Sequence, residues 1–239
     1  MNTLMIACRT IADELNMAME ETACRYPILW IESGLHLYPD SLKKRLQEEL
    51  DHISNVDQVL MAFGYCGNSL LGITPPTYKM IFPRVDDCIT LLLGSCEKRK
   101  AISDEMGTYF LTHGWLQYEK NIWSEYQEAI HRYGKSRADK IYKVLLQHYK
   151  RLGVIETGAY PIEEFLEKTH VIAEDLKLCH QVIPGTLQYI KKLLTGPWDE
   201  DFITIQPSET VTFAHIYGDN WNAQKNASVY GMTAEEKTV

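Results

Sequence analysis

Short apolar runs alternate with amphipathic stretches along most of the chain, and that alternation predicts a largely parallel α/β sheet. LMIAC (4–8) reads as a first strand, followed by a helix over about residues 10–24. ILWIES (28–33) reads as a second strand. Tyr38-Pro39-Asp40-Ser41 then opens a helix that Asp40 or Ser41 caps, with Leu42, Leu46 and Leu50 on one face. VLMAFG (59–64) and YKMIF (78–82) supply the third and fourth strands, DDCITLLLGS starts a short helix, and GTYFLTHGW (107–115) is a fifth strand. Residues 119–150 read as two helical segments divided near Gly134. Tyr126, Ile130 and Tyr133 share a face of the first segment, and Ile141, Leu145 and His148 a face of the second. The alternation resumes with VIETG (154–158), a helix in which Pro161 fits the first turn, a CHQVI strand, a helix over about 185–195, and FITIQP (202–207).

Beyond Thr212 the periodicity is lost. Residues 1–212 are therefore expected to form a single α/β domain, and 213–239 a mobile C-terminal extension. The expected sheet is mostly parallel, Rossmann-like and flanked by helices. Two similar α/β halves joined by the 119–150 helices are the other arrangement this pattern allows.

Composition narrows the function classes. The 239 residues carry 45% hydrophobic and 23% charged side chains, an ordinary globular balance. A formal charge of −8 excludes nucleic acid as the expected partner, because phosphate binding needs a basic surface. The EKRK run at 97–100 reads as a solvated helix face, with phosphate binding as the lesser alternative. No apolar run approaches the roughly 20 residues that span a bilayer. The start MNTLMIACRTIADEL lacks a basic leader and reads as strand and helix, so a cytoplasmic location is expected. In that reducing setting six cysteines point to thiols, ligands or redox groups more than to disulfides.

In a parallel α/β sheet, polar chemistry collects beyond the carboxyl ends of the strands. Cys8 ends the first strand, beside Arg9. Glu32 ends the second, with His36 shortly after. Cys66 follows the third inside GYCGN, and Arg84, Asp86, Asp87 and Cys88 follow the fourth. Thr112 and His113 follow the fifth, and Glu156 and Thr157 follow VIETG. Gly64 and Gly67 flank Tyr65-Cys66 and let the backbone approach a metal or cofactor. Cys88 lies at the start of a helix, a setting that favours thiolate; Asp86 and Asp87 oppose it, and a bound cation would reverse their effect. Cys8, Cys66 and Cys88 with His36 suit zinc, and the three thiolates alone suit an iron–sulfur cluster with one open position. Each residue also has a plainer reading: cysteine as an apolar filler, Glu32 as a hydrogen-bonded acid, His36 and His113 as packing or loop-bonding groups. Cys24, Cys96 and Cys179 read as structural. No CxxC pair is present, and the candidate ligands come from separate loops.

IAC at the start, W-x-E-S-G-L-H near position 30, GYCGN, PRVDDCITLLLGS, GTYFLTHGW and LLTGPWDEDFITIQP together resemble an uncharacterised family of anaerobes known as a domain of unknown function. The resemblance covers roughly residues 4–207, and GYCGN with PRVDDC is its most specific part. Genes of that family often accompany corrinoid-dependent methyltransferases acting on methylated amines, so the resemblance implies a neighbouring role. Its motif positions fall on Cys8, Glu32, His36, Cys66, Arg84, Asp87, Cys88 and His113, the strand-end set reached above. The chain has no D-x-H-x-x-G corrinoid-binding motif and no P-loop, so neither a corrinoid carrier nor an ATP-dependent reactivase is expected.

Three functions follow as expectations. The first is a metal-thiolate enzyme of methyl or related group transfer. In it Cys8, Cys66, Cys88 and His36 hold the metal, and Gly64, Gly67 and Asp87 shape the cofactor site. Glu32 or His113 moves a proton, and Arg84 anchors an anionic part of a small-molecule substrate. A corrinoid protein or methyltransferase is the expected partner, and a homo-oligomer is allowed. The second is a metal- or cofactor-binding accessory protein of a methyltransferase system. The third is a metal-free racemase or lyase working through Cys66 and Cys88.

Overall fold

Four strands whose residues alternate between two apolar layers build the first sheet. They are β1 (Thr3–Cys8), β2 (Ile28–Ile31), β3 (Gln58–Ala62) and β4 (Lys79–Pro83), paired in parallel in the order β2-β1-β3-β4. The computed structural model describes residues 1–118 and 120–218. β8 (Phe202–Ile205) closes the β4 edge antiparallel, with Met80 opposite Ile205 and Pro83 opposite Phe202. A second, wholly parallel sheet consists of β5 (Thr108–Leu111), β6 (Arg151–Glu156) and β7 (Cys179–Pro184). The architecture is mixed α/β and Rossmann-like, as the sequence pattern predicts.

The strand pleat divides the core in the way period-two burial requires. One face of the first sheet, with Met5, Ala7, Leu60, Ala62 and Ile81, packs with α1 (Ala12–Glu21), α3 (Cys88–Leu93) and α9 (Gln188–Thr195). The same layer takes Phe110, Ile155 and Ile183 from the second sheet, so it lies between the two sheets. The opposite face, with Ile6, Val59, Met61 and Phe82, packs on α2 (Pro39–His52) through Leu42, Leu46 and Leu50. A third cluster joins Leu111, Leu152 and Val154 to α6 (Ile122–Tyr133), α7 (Lys135–Leu145) and α8 (Ile162–Leu176). Among the described residues no helix is long and apolar enough to cross a membrane.

Several expectations need correcting. The fifth strand stops at Leu111, and His113 opens a helix, α5 (His113–Tyr118). Thr112 ends the strand because its hydroxyl accepts the Trp115 backbone N–H, satisfying a donor at the helix start. The N-cap of α2 is Tyr38, with Pro39 in the first turn, and neither Asp40 nor Ser41 caps it. The solvated helix face read at 97–100 lies in α4 (Cys96–Glu105), which is capped by Ser95 and buries no residue. In α7 the buried positions are Ala138 and Tyr142, whereas Ile141 and Leu145 face outward. α6 and α7 connect β5 to β6 inside the second sheet and do not join two halves. FITIQP supplies the antiparallel edge strand, because it returns to β4 after the second sheet is complete.

Residues 213–217, assigned by the sequence pattern to the extension, form a short helix, α10 (Phe213–Tyr217). Thr212 caps it and Ile216 is buried. The remainder of the expected extension, 219–239, lies outside the described residues.

Candidate functional site

The order β2-β1-β3-β4 reverses direction between β1 and β3. Crossover loops leave the sheet on opposite faces there, which opens a crevice at the carboxyl ends of those two strands. Cys8 is the last residue of β1, and Cys66 follows β3 four residues on. Cys88, in the next loop, is the first residue of α3.

Three local features hold these residues together. Tyr65 N–H donates to Val85 O and Cys66 N–H to Asp86 O, both at 2.9 Å, so the loops after β3 and β4 run side by side. Gly64 permits that approach: a Cβ there would lie 2.4 Å from Cα of Asp87. Cys66 itself takes φ +43, a left-handed conformation that side chains disfavour. Thr10, in the turn after β1, then bridges two sulfurs. Its Oγ1 is 3.0 Å from Cys8 Sγ and donates to Cys88 Sγ at 3.8 Å.

Electrostatics ties Cys66 to the same group. The Cys88 thiol is held well above the ordinary cysteine range, chiefly by burial, then by repulsion from Cys8, Cys66 and Asp87; the Thr10 hydrogen bond acts the other way. The expectation that a helix start would favour a Cys88 thiolate is thereby corrected, because burial and neighbouring negative charge outweigh it. All six cysteines lie among the described residues and none is in a disulfide. Among the described residues no group of three His, Cys, Asp or Glu side chains is arranged to hold a metal ion as it stands.

The other sequence candidates divide. Asp87 caps α3 by accepting from the Thr90 N–H and hydroxyl, and Arg99 Nη2 meets it at 2.8 Å. Gly67, at φ +67, packs on Pro39 of α2. Arg84 turns away from the sulfurs. Its guanidinium donates to the carbonyls of Glu200, His215 and Ile216 and so pins α10 against the sheet. Glu32 is exposed, 3.7 Å from Arg45 Nε. The His36 ring sits edge-on to Trp115, with centroids 6.0 Å apart. Of the EKRK run, Arg99 pairs with Asp87 and Lys98 donates to Pro184 O.

His113 belongs to a constellation that sequence reasoning missed. Its Nδ1 is 2.7 Å from Asp13 Oδ2 on α1. The ring stacks on Tyr160 and meets Phe165 edge-on, with centroids 5.0 and 5.6 Å away. The next residue, Gly114, packs so closely on the Thr10 carbonyl that a Cβ would lie 2.0 Å from it. One threonine therefore touches the sulfurs through its hydroxyl and the start of α5 through its carbonyl. Beside Asp13, Glu14 is fully buried; Thr157 Oγ1 donates to its Oε1 at 3.2 Å, and Oε2 has no partner among the described residues. His113 and Thr157 stand in the strand-end set read from the sequence, but their acidic partners Asp13 and Glu14 do not.

A family model described as "Protein of unknown function (DUF1638)" matches residues 30–194. The chain belongs to that family. Within this DUF1638 protein the matched span contains Cys66, Cys88 and His113, while Cys8, Thr10, Asp13 and Glu14 come from the preceding strand and helix. No curated protein and no solved structure matches the chain.

Proposed function

We propose that the chain carries a soft-metal centre held by Cys8, Cys66 and Cys88 at the β1/β3 crevice, and that it is an enzyme of methyl or related group transfer. The observation that carries this reading is the gathering of three sulfurs from three separate strand ends around Thr10 and Cys88. Burial, reinforced by repulsion from Cys8, Cys66 and Asp87, keeps the Cys88 thiol protonated; a divalent cation or iron–sulfur cluster would reverse that balance, because it binds thiolates. Cys8, Cys66 and Cys88 would hold the metal, and the Thr10 hydroxyl lies beside two of these sulfurs. Such a centre supplies an activated thiolate nucleophile. His113, oriented by Asp13, is the proton-handling group reached from the sulfurs through Thr10. The corrinoid and methylamine setting and the anaerobic source rest on the motif resemblance.

A metal- or cofactor-binding accessory protein is the second reading, favoured by Glu32 and Arg84. Both side chains are engaged away from the sulfurs, which leaves fewer groups for chemistry. In the racemase reading burial keeps Cys88 protonated, so Cys88 is the acid and Cys66 has to supply the thiolate.

Purification without oxygen, followed by metal, iron and sulfide analysis, tests the proposal. About one metal ion or cluster per chain is expected, lost in Cys66→Ser and in Cys88→Ser. Substoichiometric metal, or metal retained in both variants, rejects it. Loaded metal with biological activity unchanged by His113→Gln assigns the accessory role.

A further inference from the structure

His113 has a second side. Its Nδ1 is committed to Asp13, and Nε2 makes no hydrogen bond among the described residues. The ring forms part of the wall of a cavity of about 660 Å³ between α5, α6 and α8. Leu116, Trp123 and Phe165 give that cavity an apolar body, large enough for a small molecule. Glu164 and Lys168 add one charge of each sign. They stand four residues apart on α8, one turn along the same helix face. They form no ion pair with each other, and neither has another ion-pair partner among the described residues.

We infer that this cavity binds a small apolar zwitterion of the α-amino-acid class and presents Nε2 of His113 to it as a proton acceptor. Lys168 takes the ligand's carboxylate, Glu164 takes its ammonium, and the apolar side chain lies against Trp123 and Phe165. Two opposite charges over an apolar floor match a zwitterion better than a simple acid or amine, either of which leaves one protein charge facing its own sign. Asp13 is a positioning residue: by accepting from Nδ1–H it fixes the tautomer whose Nε2 lone pair is open. Tyr160 and Phe165 hold the ring plane. The chemical step is a proton transfer alone. An ammonium N–H bond of the ligand breaks, an Nε2–H bond forms, and the ligand keeps the electron pair as a neutral amine. The resulting imidazolium faces the Asp13 carboxylate.

This inference rests on the reading above only in giving His113 a proton to move; the binding test below uses no metal, so the two fail separately. The chain is labelled with ¹⁵N-histidine and titrated with L-phenylalanine, 3-phenylpropionate and phenethylamine as probes. The His113 ring nitrogens and Trp123 fluorescence are followed. Without ligand, His113 is expected with its proton on Nδ1, a bias lost in Asp13→Ala. L-Phenylalanine is expected to shift both signals saturably and to bind more tightly than either of the other probes. Lys168→Gln or Glu164→Gln should weaken it about tenfold, the scale of one charge-assisted hydrogen bond. No saturable shift with phenylalanine, or binding indifferent to both α8 substitutions, overturns the inference. Equal binding of 3-phenylpropionate or phenethylamine overturns the zwitterion assignment.

Discussion

Raising the pH from about 4 to about 8 is expected to remove about 3 kcal/mol of folding stability through one side chain, Glu14. Burial, reinforced by the neighbouring Asp13, raises its pKa from 4.5 to about 7, although a backbone hydrogen bond and Thr157 pull it down. Oε2 has no partner among the described residues, so ionisation would strand a buried charge. The direction follows from which state loses its proton first. Below pH 4.5 both the folded and the unfolded chain hold the proton, and the contribution is complete. Between 4.5 and 7 the unfolded chain ionises while the folded one does not, so stability falls; above 7 the loss is complete. Glu14→Gln, a neutral side chain of nearly the same shape, should flatten this slope and be the more stable form at alkaline pH. Urea unfolding of both proteins at the two pH values measures it. Parallel pH profiles would show that Glu14 is ionised in the fold.

Gly64→Ala is the substitution expected to damage the sulfur site most. The added methyl would lie 2.4 Å from Cα of Asp87 and 2.5 Å from its nitrogen, both backbone atoms that no rotamer can move. The loops after β3 and β4 must separate, breaking the Tyr65 and Cys66 backbone hydrogen bonds. Overpacking of this kind costs about 1–3 kcal/mol, and backbone-on-backbone contact belongs at the upper end. It should also loosen Cys88, which begins the helix after Asp87, and expose it to alkylating reagents. Gly34→Ala is the matched control, since a Cβ there meets nothing within 4 Å. Equal stability of the two variants would refute the close-approach account of Gly64.

The strand ends were legible because period-two burial and abrupt polar breaks mark them. Placing Cys8, Cys66 and Cys88 at carboxyl ends required only that the sheet be parallel, and β1, β3 and β4 are. Side-chain direction was not legible. Glu32 and Arg84 occupy the expected strand ends, yet Arg45 draws one outward and the carbonyls of α10 and Glu200 hold the other. Those partners are remote in sequence, and strand-end position says nothing of them. The Asp13–His113 pair spans 100 residues, and Glu14–Thr157 spans 143. Both arise where α1 meets the segments that follow β5 and β6, an arrangement no local pattern encodes. Thr10 escaped notice for a related reason: its importance lies in contacting Cys8, Cys88 and Gly114 together. Of α4 only the solvated EKRK face was legible, because the helix buries nothing and so shows no apolar period.

The central claim is that three sulfurs distant in sequence share one site. X-ray absorption at the metal edge, on chain purified without oxygen and loaded with zinc, tests it most directly. The account predicts sulfur scatterers at about 2.3 Å, three per metal, in the parent protein, and no zinc held by Cys88→Ser after the same loading. A shell of nitrogen and oxygen alone, or a sulfur count unchanged by that substitution, would contradict it.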